Sequence, residues 1–315
     1  MSEINEPLIL VDASNVVWQA LHSVRGELKK NKTLWAQLPK PVKMSQLSIT
    51  RNSVIAFFLD ELFTTINSYS DGHKVLIALD SKPSWRYKVA PDYKGHRKEI
   101  KDRFAEDIDI EDVMGVFSDM YELLKQCPYF IVVAAPTAEA DDVIGTVVLN
   151  NDSKNNFIMS SDRDFMQLGH KARLVSRYKE DGCSKLVSEL EAAVMRERKI
   201  LSGDSGDHIK AVVPKVTGPK FAENAVTVEN VTTYANGLLT ELCKVHPFAR
   251  DSFIRNKILI DLSKSPPAIK ATILLEYNLQ RSKWRRDLSP LVKFLREQNL
   301  IGLGPKVQRV INNHL

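Results

Sequence analysis

The chain reads as an α/β fold, a parallel sheet followed by a mostly helical C-terminal region. Three observations predict it. Short apolar runs of strand length recur at LILVD (8–12), KVLIALD (74–80), 130–134 and NFIMSSDRD (156–164), with helical stretches between them. Strand, helix, strand in that order makes a crossover unit, and crossovers give parallel neighbours. Most of the acidic clusters sit where one of these strands ends, and beyond about residue 189 the strand signal fades.

Taken in order, Pro7 introduces the first strand, which ends at Asp12. Residues 25–48 carry Arg25, Lys29, Lys30, Lys32, Lys40 and Lys43 with weak periodicity, and read as a surface excursion. Ile55, Phe58, Leu59, Leu62, Phe63 and Ile66 recur at helical spacing within 49–69, and Ser70-Asp71-Gly72 closes that helix. The second strand, 74–80, ends at Asp80. Residues 81–105 differ in kind: they are charged, interrupted by Pro83, Pro91 and Gly95, and interleaved with Trp85, Tyr87 and Tyr93. A helix over 109–125, a strand over 130–134 and a helix opening near Glu139 follow. Two strands, 172–178 and 184–188, are expected around Asp181-Gly182. Helices are expected at 189–201, 219–225, 248–262, 267–277 and 289–298. The division is therefore an α/β domain over 1–188 and a helical domain over 189–315.

With 315 residues and a hydrophobic fraction of 43%, the chain has ample material for packed cores and is not a disordered tract. The 44 basic residues against 39 acidic give a formal charge of +5. Distribution matters more than the sum. Cations crowd into 82–101 and 281–309, whereas the acids named below gather at strand ends. Three scattered cysteines with no C-x-x-C spacing argue against a disulfide framework and a zinc site. No signal-peptide pattern opens the chain and no apolar run approaches transmembrane length, so the expectation is a soluble, cytoplasmic protein without a membrane partner. The absence of G-x-S-x-G, Walker A and G-x-G-x-x-G patterns weakens esterase, NTPase and dinucleotide readings.

The chemistry lies in Asp12, Asp80, the box Glu139-Ala-Asp141-Asp142, Asp162 with Asp164, and Asp204 with Asp207. In an open parallel sheet, ligands bind beyond the carboxyl ends of the strands. These nine carboxylates gathered there would repel one another unless divalent cations held them. Hard oxygen ligands suit Mg²⁺ or Mn²⁺, the ions of two-metal phosphodiester chemistry. Any one of the acids could equally be a helix cap or turn residue. The cations and rings of 81–101 have the composition of a segment gripping single-stranded nucleic acid. Following directly on Asp80, that segment begins beside the crevice, where Lys94 or Arg97 could offset charge developing on a phosphate.

VDASN (11–15), ALD (78–80), WRY (85–87), DYKGHRK (92–98), EADD (139–142), SSDRDFMQL (160–168) and GDSGDHI (203–209) together resemble the 5′-nucleases. That family includes flap endonucleases and the 5′-nuclease domain of bacterial DNA polymerase I. Length and a long N-terminal helix make the chain most similar to the phage-type ribonucleases H. The resemblance implies a 5′-nuclease (PIN-like) core, with a helical arch over about 81–105. It implies two Mg²⁺ ions, with Mn²⁺ substituting. Asp12, Asp80, Glu139, Asp141 and Asp142 would surround the first, and Asp162, Asp164, Asp204 and Asp207 the second. Arg86 and Lys94 would contact the reacting phosphate, with Tyr93 as the adjacent aromatic and Arg97 and Lys98 nearby on the arch. It further implies a monomer acting on DNA and RNA/DNA duplexes with 5′ ends or flaps, alongside a single-stranded-DNA-binding protein and a sliding clamp. The family's Gly-rich helix–turn–helix loop is replaced here by Val213-Pro-Lys-Val-Thr-Gly218-Pro219-Lys220. Lys215 and Lys220 remain as candidate duplex contacts, while the family's K⁺ site is not carried over. A PIN-type endoribonuclease and a non-catalytic structure-specific DNA-binding protein are the alternative readings. The first usually lacks the arch and the GDxxD extension, and the second would be supported by loss of metal acids.

Overall fold

The computed structural model describes residues 4–46, 48–69, 72–95, 97–176 and 182–314, and within these omits the side chains at 48–50, 98, 100, 101 and 314. In chain order the elements of the first half are β1 (Leu8–Asp12), α1 (Ala13–Lys30), α2 (Lys32–Gln37), α3 (Ser48–Tyr69), β2 (Lys74–Ala78), α4 (Arg97–Ala105), α5 (Ile110–Gln126), β3 (Phe130–Val133), α6 (Ala140–Leu149), β4 (Asn156–Met159) and β5 (Ala172–Val175). The rest is helical: α7 (Glu189–Ser202), α8 (Pro219–Ala225), α9 (Tyr234–Val245), α10 (Ala249–Ile260), α11 (Pro267–Lys283), α12 (Ser289–Glu297) and α13 (Gly304–His314).

The five strands form one parallel sheet in the order β3-β2-β1-β4-β5. Because side chains alternate across a strand, the two faces feed two cores. Ile9 and Val11 of β1, with Val75 and Ile77 of β2, pack with α1, α3 and α5. Leu8, Leu10, Leu76 and Ala78 pack on the opposite face with α6 and α11. Each such Leu, Ile or Val side chain, fully buried, contributes roughly 1.5–3 kcal/mol relative to exposure.

The helical region beyond residue 188 serves two places. Helices α7 to α10 build a third core around Ile200, Leu201, Val212 and Phe253, joined by Ala90 and Tyr93 from the segment after β2. The later helices return to the sheet layers: Ile273 and Tyr277 of α11 enter one core, and Leu291, Leu295, Val307 and Val310 of α12 and α13 enter the other. Among the described residues no helix is long and apolar enough to cross a membrane.

Two sequence expectations are corrected. Residues 25–48 are not simply an excursion, since α1 continues to Lys30 and α2 follows. Val24 is buried in the core, and Arg25 and Lys29 both pair with Asp107, which ties this helix end down. The expected strand at 184–188 does not form; only an isolated antiparallel bridge, Val175 to Cys183, joins the returning chain. The Ser184 hydroxyl accepts from the Leu174 amide at 2.7 Å, and Val187 turns its amide to the Gly169 carbonyl, so the ladder stops. Asp181 and 177–180 lie outside the described residues.

Candidate metal centre at the carboxyl edge of the sheet

From β1 the chain goes to β2 on one side, while β4 lies on the other. The order of strands therefore reverses at the β1–β4 boundary, the switch point beyond whose strand ends open parallel sheets bind ligands. Asp12 is the last residue of β1, Asp80 follows β2, Glu139 and Asp141 stand at the start of α6, and Asp162 and Asp164 follow β4. Asp204 and Asp207 enter from beyond α7 on a closed turn, with the Asp204 and Ile209 amides each bonded to the other's carbonyl at 2.8 and 2.7 Å. Gly203 permits this turn: its φ is +72°, and a Cβ there would stand 2.3 Å from the Ile209 carbonyl oxygen.

Several of these acids also serve the backbone and neighbouring hydroxyls. One Asp12 oxygen caps α1, accepting from the Asn15 amide at 3.1 Å, while the other accepts from the Ser160 hydroxyl at 3.0 Å. Asp80 accepts from the Ala140 amide at 2.7 Å and the Ser14 hydroxyl at 2.5 Å, tying β2 to α6 and α1. Asp162 and Asp204 cap short 3-10 turns through the amides of Asp164 and Gly206. A capping carboxylate is fixed in direction and still has an oxygen to offer.

Cations of the chain hold the outer acids. Lys94 donates to Glu139 at 2.7 Å and lies 3.9 Å from Asp207. Arg97 pairs with Asp207, and Lys199 bridges Asp164 and Asp204. The Tyr93 hydroxyl is 2.9 Å from both Glu139 and Asp207, so its single proton serves one of them at a time. Lys94 takes a left-handed backbone, φ +55°, pinned by its amide on the Asp207 carbonyl at 2.9 Å. For a non-glycine residue that conformation costs roughly 1–2 kcal/mol and persists only where the surroundings enforce it.

Asp141 is different. Half-buried, its carboxylate takes no hydrogen bond from a described residue and faces Asp12, Asp162 and Glu139, with Lys94 as the opposing charge. Burial first, and then repulsion from Asp12 and Asp162, pushes its ionisation well above the usual carboxylate range. Asp12 is pushed up to about 7, by burial and then by Asp80 and Asp162, against the Asn15 and Ser160 hydrogen bonds. Among the described residues no three acidic, histidine or cysteine side chains converge closely enough to cage an ion as they stand. Glu139, Asp164, Asp204 and Asp207 are instead paired with cations of the chain. A partnerless carboxylate among three like charges is the environment that a hard cation relieves, so the donor set fits Mg²⁺ or Mn²⁺.

Eight of the nine expected ligands line this crevice, and Asp142 does not. It is fully buried on the other side of the α6 start. Arg86 grips it with two bonds of 2.9 and 3.0 Å, and Trp85 Nε1 at 3.0 Å, Ser265 Oγ at 2.6 Å and the Glu139 amide at 2.9 Å complete it. Burial opposes its charge, but Arg86 and these donors hold Asp142 below the usual carboxylate range. Arg86 is correspondingly not a phosphate contact: it is 2% exposed and also donates to the Leu259 carbonyl at 3.1 Å. Tyr93 is likewise buried, edge-on to Tyr87 at 5.8 Å, and serves the acids rather than a base. Lys94 and Arg97 remain beside the crevice. Lys215 and Lys220 are exposed near the start of α8 and pair with no acid among the described residues, and the Lys98 side chain lies outside the described residues.

Sequence reasoning missed Ser14, Ser160 and Lys199. Ser14 and Ser160 stand inside the quoted VDASN and SSDRD runs, where a hydroxyl two residues from a strand-end acid is a readable orienting group. Lys199 lies in the last turn of α7, five positions before Asp204.

A family model of the "5′-3′ exonuclease, N-terminal resolvase-like domain" matches residues 7–200. DNA polymerase I of Lactococcus lactis subsp. cremoris is 25% identical over 313 residues, 94% of this chain and 31% of that protein. The flap endonuclease Xni of Shewanella sp. is 31% identical over 159 residues, 48% of this chain and 55% of that one. The chain thus spans about a third of the length of the curated polymerase it matches. Among solved structures, a bacteriophage T5 5′-exonuclease with bound zinc ions superimposes with a TM-score of 0.60 at 18% identity, covering 88% of this chain and 98% of that one. A T5 flap endonuclease in a pseudo-enzyme-product complex with DNA and metal ions gives 0.54 at 16% identity, covering 87% and 98%. That likeness shows a shared fold. With the family model matching well over half of its length, this chain belongs to the 5′-3′ exonuclease family and carries that family's N-terminal resolvase-like domain.

Proposed function

We propose that this protein is a divalent-metal-dependent 5′→3′ exonuclease and flap endonuclease of the phage ribonuclease H type, removing RNA primers and 5′ flaps during DNA replication. The observation that carries the reading is the partnerless Asp141 carboxylate among Asp12, Asp162 and Glu139 at the strand switch point. The names of the relatives, a flap endonuclease and a nuclease crystallised with DNA and metal ions, agree with it.

Two Mg²⁺ ions, with Mn²⁺ as substitute, would be held by Asp12, Asp80, Glu139 and Asp141 and by Asp162, Asp164, Asp204 and Asp207, supplying Lewis acidity and an activated water. The chain's own groups do the rest. Lys94, held at the crevice mouth by its strained backbone, and Arg97 at the start of α4 present positive charge to the scissile phosphate. Tyr93 and Arg86 fix Glu139 by hydrogen bonds of 2.9 and 3.0 Å. The buried Arg86–Asp142 pair joins the base of the arch segment to α6, so the phosphate-facing cations and the acids keep one geometry. In this reading residues 1–188 carry most of the chemistry, and Asp204 and Asp207 complete the second ion's ligands from beyond α7. The helices from 189 onward, with Lys215 and Lys220 exposed near α8, hold duplex backbone. A cytoplasmic monomer working with a single-stranded-DNA-binding protein and a sliding clamp belongs to the same reading.

A 5′-labelled flap and a 5′-labelled RNA primer on DNA test it. With Mg²⁺ both release short 5′-labelled products, and EDTA stops the release. Intact substrates in Mg²⁺ and Mn²⁺ alike, or label released only from an RNA hairpin, would overturn it.

A further inference from the structure

The two groups of acids are not equivalent. Asp12 and Asp80 are held by hydroxyls and backbone amides, and no salt bridge among the described residues reaches them or Asp141. In the second group, Asp164 and Asp204 share one ammonium. Lys199 Nζ contacts Asp164 and stands 2.8 Å from Asp204, joining the turn after β4 to the turn after α7. Its backbone cannot follow a moving partner, because the next two residues, Ile200 and Leu201, are fully buried in the third core. Its side chain can move: it is 28% exposed and hangs on a flexible four-carbon stem.

We propose that Lys199 is a built-in counter-ion of the second acid group, occupying the place of a divalent cation and yielding it only when its ammonium swings to solvent. This rests on the proposed metal dependence. A divalent ion bound to the oxygens of Asp164 and Asp204 cannot share them with an ammonium in contact with the same oxygens, since like charges at that separation repel strongly. The apparent affinity for the second ion is therefore reduced by the fraction of molecules in which Lys199 has withdrawn. Asp12, Asp80 and Asp141 of the first group, with no salt bridge to displace, carry no such penalty, and Glu139 alone in that group is held, by Lys94 and Arg86. Lys199 thereby keeps the metal-free protein from holding two unpaired carboxylates between α7 and the sheet, and makes the two ions bind in sequence.

The test uses the full chain, metal-free and without nucleic acid, titrated with Mn²⁺ while free ion is followed by electron paramagnetic resonance. Wild type binds one ion tightly and a second at least about tenfold more weakly. Lys199→Gln tightens the second ion about tenfold and changes the first by less than about threefold, because solvent and salt screen the more distant charge. Lys199→Arg, which keeps the charge, retains the weak second ion, and circular dichroism confirms that both variants fold. A second ion bound no more tightly by Lys199→Gln would overturn the inference while leaving the metal-dependent reading intact. Equal tightening of both ions would do the same, since it would reveal a general field effect. Wild type binding no Mn²⁺ would defeat the proposed function and this inference together.

Discussion

Asp141→Asn abolishes cleavage, by at least about a thousandfold, while flap binding survives. The substitution is nearly isosteric but removes a carboxylate that, unlike Asp12, Asp80 and Asp162, takes neither a salt bridge nor a hydrogen bond from a described residue. The same change stabilises the metal-free protein at neutral and higher pH, which separates it from a folding defect. The sign follows from linkage: a carboxyl whose folded pKa is raised contributes stability that is complete below its unfolded value, about 4, and is lost as pH rises through the folded value. Asp12, pushed up to about 7, therefore withdraws stability from the metal-free protein as pH climbs from about 4 through 7, and Asp141, raised well above the usual carboxylate range by burial and then by Asp12 and Asp162, adds to that loss as pH rises. Melting curves in EDTA should show Asp141→Asn more stable than wild type near pH 8 and little different near pH 5. Mg²⁺ should recover wild type over the same window. Wild-type turnover, or the same difference in melting at both pH values, would contradict the role given to Asp141.

Arg86→Met destabilises the protein by about 3–5 kcal/mol, because it leaves the Asp142 carboxylate charged and buried without its guanidinium. Stability of a domain of this kind is only about 5–15 kcal/mol, so the variant sits near the edge of folding. Trp85 Nε1, Ser265 Oγ and the Glu139 amide still donate to Asp142, and none of them supplies a positive charge. Urea unfolding measures the loss. A change under about 1 kcal/mol, the value of an exposed ion pair, would mean that the pair is open to water. Arg86→Lys keeps the charge but not the two-pronged grip and falls between the two.

The sheet was legible because its strands are continuous apolar runs, and the acid cluster was legible because an open parallel sheet brings its strand ends to one edge. What sequence could not supply was burial. Arg86 and Asp142 look like neighbours of Lys94 and Asp141 in an undivided basic stretch and an undivided acidic box. They are structural because Leu259 and Ser265, more than a hundred residues downstream, close over them. Lys199 was invisible for the same reason, since its partner Asp164 is 35 positions away. The C-terminal helix α13 was missed although Gly304-Pro305 carries the signal of a helix start, proline at a first-turn position. Helix α9 opens with Tyr234-Ala-Asn236-Gly237, residues that suit turns and conceal the amphipathic stretch behind them. At 184–188 the expected strand failed because Ser184 Oγ takes the place of a ladder carbonyl and Val187 turns its amide to Gly169.

The central claim is that the carboxylates beyond β1, β2, β3 and β4 are a divalent-cation site. Anomalous diffraction from crystals grown with Mn²⁺ tests it most directly. The account predicts one strong peak touching Asp12, Asp80 and Asp141, and a weaker one touching Asp164 and Asp204 with the Lys199 ammonium withdrawn. Crystals saturated with Mn²⁺ that show no peak in the crevice, with Lys94, Arg97 and Lys199 still paired to the acids, would contradict it.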